Sequence, residues 1–69
     1  MYDLKIYVGG VVVKEYKNMD YDLARYEFMN HNRSWECYPE LYIDGDPQKL
    51  KYALKHFEFN AHDMPLPLL

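Results

Sequence analysis

The chain has a single cysteine, Cys37, in 69 residues. No internal disulfide can form, and no cysteine cluster exists to hold zinc. Glycine is scarce as well, with three residues in all. Gly9-Gly10 has no glycine-rich continuation and no lysine-serine or lysine-threonine pair, which excludes a phosphate-cradling loop. No apolar run approaches the roughly 18 residues of a membrane-crossing helix. The N-terminus carries no basic segment leading into an apolar stretch, so no export signal is visible. An excess of positive charge is also missing: eleven acidic residues against eight basic ones leave a formal charge of -3. That balance disfavours non-specific attraction to nucleic acid or to an anionic bilayer. A free cysteine without an export signal fits a cytoplasmic location, in a bacterial host cell as elsewhere.

Aromatic side chains are plentiful. The chain holds eight tyrosines, three phenylalanines and one tryptophan. A domain this short buries roughly 60% of the surface its unfolded chain exposes, so its stability margin is thin. Aromatic burial has to make up the difference, with oligomerisation or docking on a partner as the other remedy.

The clearest periodic signal runs from Asp46 to Phe57. Leu50, Ala53, Leu54 and Phe57 fall at i, i+3, i+4 and i+7, which is an apolar stripe on a helix. Asp46 is placed to cap it and Pro47 to take its first position, where a missing N–H costs nothing. Two other stretches alternate instead. In Tyr2 to Val8, the side chains of Leu4, Ile6 and Val8 oppose those of Asp3, Lys5 and Tyr7. In Trp35 to Ile43, those of Trp35, Cys37, Leu41 and Ile43 oppose those of Glu36, Tyr38, Glu40 and Tyr42. Both read as half-buried strands. Pro39 cannot donate a ladder bond, so the later strand is expected at an edge or broken there.

Gly9-Gly10 joins the first strand to a second over Val11 to Lys17 as a hairpin. A two-residue turn sets Lys5 against Lys14. A three-residue connection sets Val8 against Val12, Leu4 against Tyr16, Lys5 against Glu15 and Asp3 against Lys17. The second register pairs opposite charges and is slightly preferred, despite placing Val11 near a left-handed position. Asn18-Met19-Asp20 is a turn, and Asp20 or Asn18 can cap the helix that follows. Tyr21, Ala24 and Phe28 give that helix one face. Leu23, Tyr26 and Met29 give it a looser second face, and Asn30 to Ser34 ends it. Beyond Asn60, the chain reads as an extended, proline-spaced apolar tail over 62–69.

The chemistry is sparse. A metal site would need His62 and Asp63 to fold back onto His56, and no cofactor or metal is implied. Cys37 reads as a small buried hydrophobe, since no base is placed beside it. Asp20/Asp22 and Asp44/Asp46 are explained by capping and turns. Asp44-Gly45-Asp46 lacks the closing glutamate of a calcium loop. Glu36/Glu40 would need a cleft to split their pKa values, and the chain offers little room for one. Lys49, Lys51 and Lys55 give a diffuse basic helix face, the candidate nucleic-acid surface.

These observations predict one α+β domain over residues 1–69, with three antiparallel strands, two helices packed on one face and the order β-β-α-β-α before the tail. It reads as a non-enzyme that binds a protein partner and modulates or inhibits it. The expected contact is the acidic, aromatic ladder Glu36, Tyr38, Glu40 and Tyr42 on an edge strand, with Leu66 and Leu68 of the tail. A homodimer through the third strand or the tail would hide leftover apolar surface. The alternatives are a nucleic-acid-binding protein using Lys49, Lys51 and Lys55, or one subunit of an enzyme with a composite site reached by Cys37, His31 or a carboxylate. By loose analogy, the size suits a modulator of host machinery encoded by a virus or mobile element.

Overall fold

The computed structural model of the protein describes residues 1–34 and 36–59. The expected tail, with Leu66, Leu68, His62 and Asp63, and the expected strand start at Trp35 lie outside the described residues. The elements run β1 (Tyr2–Val8), β2 (Val11–Met19), α1 (Tyr21–His31), β3 (Cys37–Ile43), β4 (Asp46–Gln48) and α2 (Leu50–His56). All neighbours in the sheet are antiparallel, in the order β2-β1-β3-β4. The fold is therefore α+β, with four strands rather than three.

Period-two alternation sorts the side chains between two faces. Leu4 and Ile6 of β1 and Leu41 of β3 point to one face and are buried. There they meet Ala24 and Phe28 of α1 and Ala53, Leu54 and Phe57 from the α2 stripe. The two helices also touch each other: the Phe28 and Phe57 rings lie 5.4 Å apart. The Arg25 Nε–H donates to the Phe57 carbonyl at 2.9 Å. Asp20 caps α1 as expected, its Oδ1 accepting the Leu23 N–H at 2.9 Å. The predicted second face of α1 is solvent: Leu23, Tyr26 and Met29 are all exposed.

Two expectations fail for identifiable reasons. Asp46 and Pro47 do not start the second helix. Asp44 and Gly45, at φ 51° and 88°, form a two-residue hairpin loop that returns the chain as β4, pairing Ile43 with Asp46 and Tyr42 with Pro47. Positive φ at both loop residues is the requirement of a type I′ turn, and Asp-Gly supplies it. Pro47 is tolerated because β4 is the edge. The helix then starts at Leu50, behind Lys49, which makes no side-chain capping bond.

The second correction concerns β3, which is not an edge strand. It lies between β1 and β4. Two backbone bonds, Gly9 N–H to the Glu36 carbonyl and Asp44 N–H to the Met1 carbonyl, fix the alternation. Even-numbered residues of β3 bond towards β1, and odd-numbered ones face away. Leu41 and Ile43 pair with β4 on that far side, and Cys37 is bonded there to Ser34. Pro39 falls between them, beyond the reach of β4 and short of the Ser34 turn, the one outward-bonding position of β3 with neither partner among the described residues. A residue without an N–H suits that place, so the proline marks a local gap in the edge instead of a broken strand.

The hairpin register is a composite. The Gly9-Gly10 loop, at φ 59° and 80°, sets Val8 against Val11, the two-residue geometry. Further down, Leu4 faces Tyr16 and Lys5 faces Glu15, the three-residue register. The pairing steps from Ile6–Lys14 to Tyr7–Val12, so Val13 is an extra residue, a β-bulge that reconciles the two.

Candidate tyrosine face of the sheet

Both helices cover the Leu4/Leu41 side of the sheet, so the other side carries the polar alternates. β1 contributes Asp3, Lys5 and Tyr7. β3 sets Tyr42, Glu40 and Tyr38 directly against them. Glu15 extends the face on β2, opposite Lys5. Tyr38, Glu40 and Tyr42 are half-buried and Glu36 is exposed. The tyrosines thus lie away from the helices and do not cover the core.

Cross-strand pairing brings the rings together. Tyr7 and Tyr38 stack with centroids 5.3 Å apart and planes 8° from parallel. The Tyr7 hydroxyl donates to Glu40 Oε1 at 3.3 Å. The Tyr42 hydroxyl donates to the same oxygen in a short bond. On the other side of this cluster, the Lys5 ammonium sits 5.0 Å above the Tyr42 ring, a cation–π contact. Glu40 is therefore held in one place by two phenols, and among the described residues no lysine or arginine forms an ion pair with it.

This carboxylate changes the phenols around it. The Tyr42 phenol is pushed up to about 12, first by its hydrogen bond to Glu40, then by partial desolvation and by the charges of Glu40 and Glu15. The Tyr7 phenol is also raised, by desolvation first and then by the charge and hydrogen bond of Glu40. Both stay protonated donors throughout the neutral range.

An apolar groove of about 370 Å³ opens on the helix side, beside the gap at Pro39. Phe28, Pro39, Leu41, Leu50 and Ala53 wall it, and Tyr38 and Glu40 also border it. The tyrosine face and the groove therefore meet along the open stretch of β3.

Other candidates are scattered. Lys49, Lys51 and Lys55 are exposed, with Lys49 at the cap position of α2 and Lys51 lying over the neighbouring Tyr52 ring at 5.1 Å. Cys37 is half-buried, with its Sγ 4.0 Å from the His31 carbonyl. His31 and His56 are held by tyrosine hydroxyls, Tyr16 at 3.2 Å and Tyr2 at 2.7 Å. Among the described residues, no group of three histidine, cysteine or acidic side chains converges, and no helix is long and apolar enough to cross a membrane.

Alternation alone placed Glu36, Tyr38, Glu40 and Tyr42 together. It missed Tyr7 and Lys5 as their neighbours, because β1–β3 pairing is long-range and leaves no local signal. The chain matches no known protein-family model, no curated protein and no solved structure.

Proposed function

We propose that this protein is a small interaction module that binds a protein partner through the tyrosine face of its sheet and modulates that partner. One observation carries the reading: the Tyr7, Tyr38, Glu40 and Tyr42 cluster is preorganised on the side of the sheet that no described element covers. Tyrosine buries a large area at low entropy cost. Rings already fixed by stacking and by a shared carboxylate lose little further freedom on binding. A catalytic reading has less support. The phenols are shifted away from neutral pH, and among the described residues neither a nucleophile–base pair nor a deep cleft accompanies them.

The contact differs from an edge-strand mode. β3 is paired along 41–43 on both sides, so its side chains are available and most of its backbone is not. The groove beside Pro39 gives the partner an apolar anchor next to the polar face. Affinity capture from the native cell extract, with the wild-type chain and a Tyr38→Ser/Tyr42→Ser variant in parallel, tests the reading. A protein retained by the former and lost by the latter, with unchanged circular dichroism, is the expected result. Equal retention by both would refute it. Steeply salt-dependent retention on nucleic acid, abolished by neutralising Lys49, Lys51 and Lys55, would favour the nucleic-acid alternative.

A further inference from the structure

We infer that the tyrosine face recognises arginine: the partner inserts a guanidinium that stacks on Tyr38 and bonds to Glu40. This deepens the proposed function and rests on it.

Charge complementarity comes first. Asp3, Glu15, Glu36 and Glu40 stand on or beside this face, against Lys17, Lys5, which pairs across from Glu40, and Lys49 at the rim of the adjoining groove. Lys17 lies 3.9 Å from Glu15, which occupies it locally. The face therefore offers net negative charge to a cationic segment.

The Glu40 carboxylate supplies the specific acceptor. Both phenol bonds end on Oε1, so among the described residues Oε2 remains for an incoming donor. A carboxylate that is half-buried, fixed and without an ion-pair partner among the described residues gains most from a cation that also donates hydrogen bonds.

The rings choose between the two possible cations. Tyr38 stacks on Tyr7 through one side. On its other side no strand continues, because β4 stops at Gln48, opposite Leu41. Among the described residues, no strand flanks that side, and Tyr38 borders the adjoining groove there, where a planar group has room to stack. Lys5 over Tyr42 shows that aromatic rings on this face already accept a cation. A guanidinium is planar, stacks on an aromatic ring and presents a fork of N–H donors to a carboxylate. An ammonium is a compact, strongly hydrated point charge without the plane to stack flat or the fork to bond in parallel. The adjoining groove, walled by Pro39, Leu41 and Leu50, suits the apolar residues that flank the arginine.

The test uses two fluorescein-labelled peptides of alternating threonine with either arginine or lysine, titrated against the full chain by anisotropy at low and physiological salt. The arginine peptide should bind at least about fivefold tighter at both salt concentrations, because stacking and the bonding fork are less screened than bare charge. In Glu40→Gln that preference should vanish. In Tyr38→Leu it should fall to near unity, with folding checked by circular dichroism; Glu40→Gln serves alone if that variant does not fold. Bound arginine should also shift the Tyr38 ring protons upfield in wild type. Equal affinity for the two peptides, or an arginine preference that Glu40→Gln leaves intact, would overturn the inference. If the Tyr38→Ser/Tyr42→Ser variant loses its captured partner while the peptides bind equally, the arginine assignment falls and the interaction face stands. Unchanged capture in that variant would instead overturn the proposed function.

Discussion

The end of α2 carries a residue whose replacement should stabilise the protein. Glu58 has φ 58°, in the left-handed region that L-residues avoid. The conformation is imposed by a Schellman motif: the Glu58 N–H reaches the Lys55 carbonyl at 3.1 Å and the Phe59 N–H reaches the Leu54 carbonyl at 2.9 Å. This closure also packs Phe59 against Phe28, with ring centroids 6.1 Å apart. Glycine is the usual residue at this position. Left-handed geometry costs other residues about 1–2 kcal/mol, and glycine gives back about 0.4–1 kcal/mol by loosening the unfolded chain. Glu58→Gly should therefore gain about 0.5–1 kcal/mol, with about 0.3 kcal/mol more from removing an anion at the negative end of the helix dipole. For a domain of this size the melting temperature should rise by about 3–8 °C. Thermal unfolding followed by circular dichroism measures it, with Glu58→Gln as the control that removes the charge and keeps the Cβ. If Glu58→Gln matched Glu58→Gly, charge rather than backbone strain would explain the gain. If Glu58→Gly lowered the melting temperature, the cap geometry itself would be wrong.

Four further outcomes follow from the same structure. Phe57 is fully buried and meets the rings of Tyr2, Tyr21, Phe28 and Phe59. Phe57→Ala should cost about 3–5 kcal/mol, enough to abolish cooperative urea unfolding in a domain this small. Tyr52→Ala, on the exposed side of the same helix, should change stability by no more than about 0.5 kcal/mol. Alkaline stability should follow Tyr42, whose neutral phenol is the form that folding favours. Its contribution is complete below the ordinary phenol value of 10.0 and is lost as pH rises towards about 12. Urea midpoints across that range should fall, and Glu40→Gln should weaken the dependence and bring ionisation of Tyr42 back towards its ordinary value in ultraviolet titration. Lys14→Val should promote self-association, read by light scattering across a concentration series, because Lys14 lies opposite Ile6 on the helix side of edge strand β2. A strictly monomeric Lys14→Val variant at high concentration would show that the lysine does not guard that edge.

The parts of the fold legible in the sequence were those carried by short periods. The stripe Leu50, Ala53, Leu54 and Phe57 and the alternation through β1 and β3 each place residues by local spacing, and tertiary packing agreed with them. Tyr38, Glu40 and Tyr42 shared a face for the same reason. Where the reading failed, two local rules competed. Asp46-Pro47 satisfies a helix start, and Asp44-Gly45 satisfies a hairpin; the hairpin won because β4 completes the pairing of Leu41 and Ile43. The bulge at Val13 could not be seen because each candidate register was consistent over part of the strand. The Schellman end of α2 was hidden by glutamate occupying the position where glycine would have announced it. The stack of Tyr7 on Tyr38 depends on which strands become neighbours, a property of topology that no window of residues contains.

The arrangement of edges gives the tyrosine face its functional weight. A four-stranded sheet has two edges, and an exposed edge invites pairing with any other strand. Here β2 carries the Val13 bulge, the inward Lys14 and a second register shift near Asn18, whose N–H is held by Asp3 Oδ1 at 2.9 Å. Bulges twist an edge away from flat pairing, and an inward charge makes its continuation costly. At the opposite edge, β4 is three residues long and contains Pro47, while Pro39 removes the donor where β3 stands open. Both edges thus resist backbone-driven association, which is indifferent to sequence. The recognition proposed for the face would work the other way: it would depend on side chains, on the position of one carboxylate and on the spacing of particular rings. On the function proposed above, protected edges and a preorganised face would together favour discrimination between partners over polymerisation. Selectivity in this protein should therefore be lost through Tyr38 and Glu40 before it is lost through any change in the sheet's backbone.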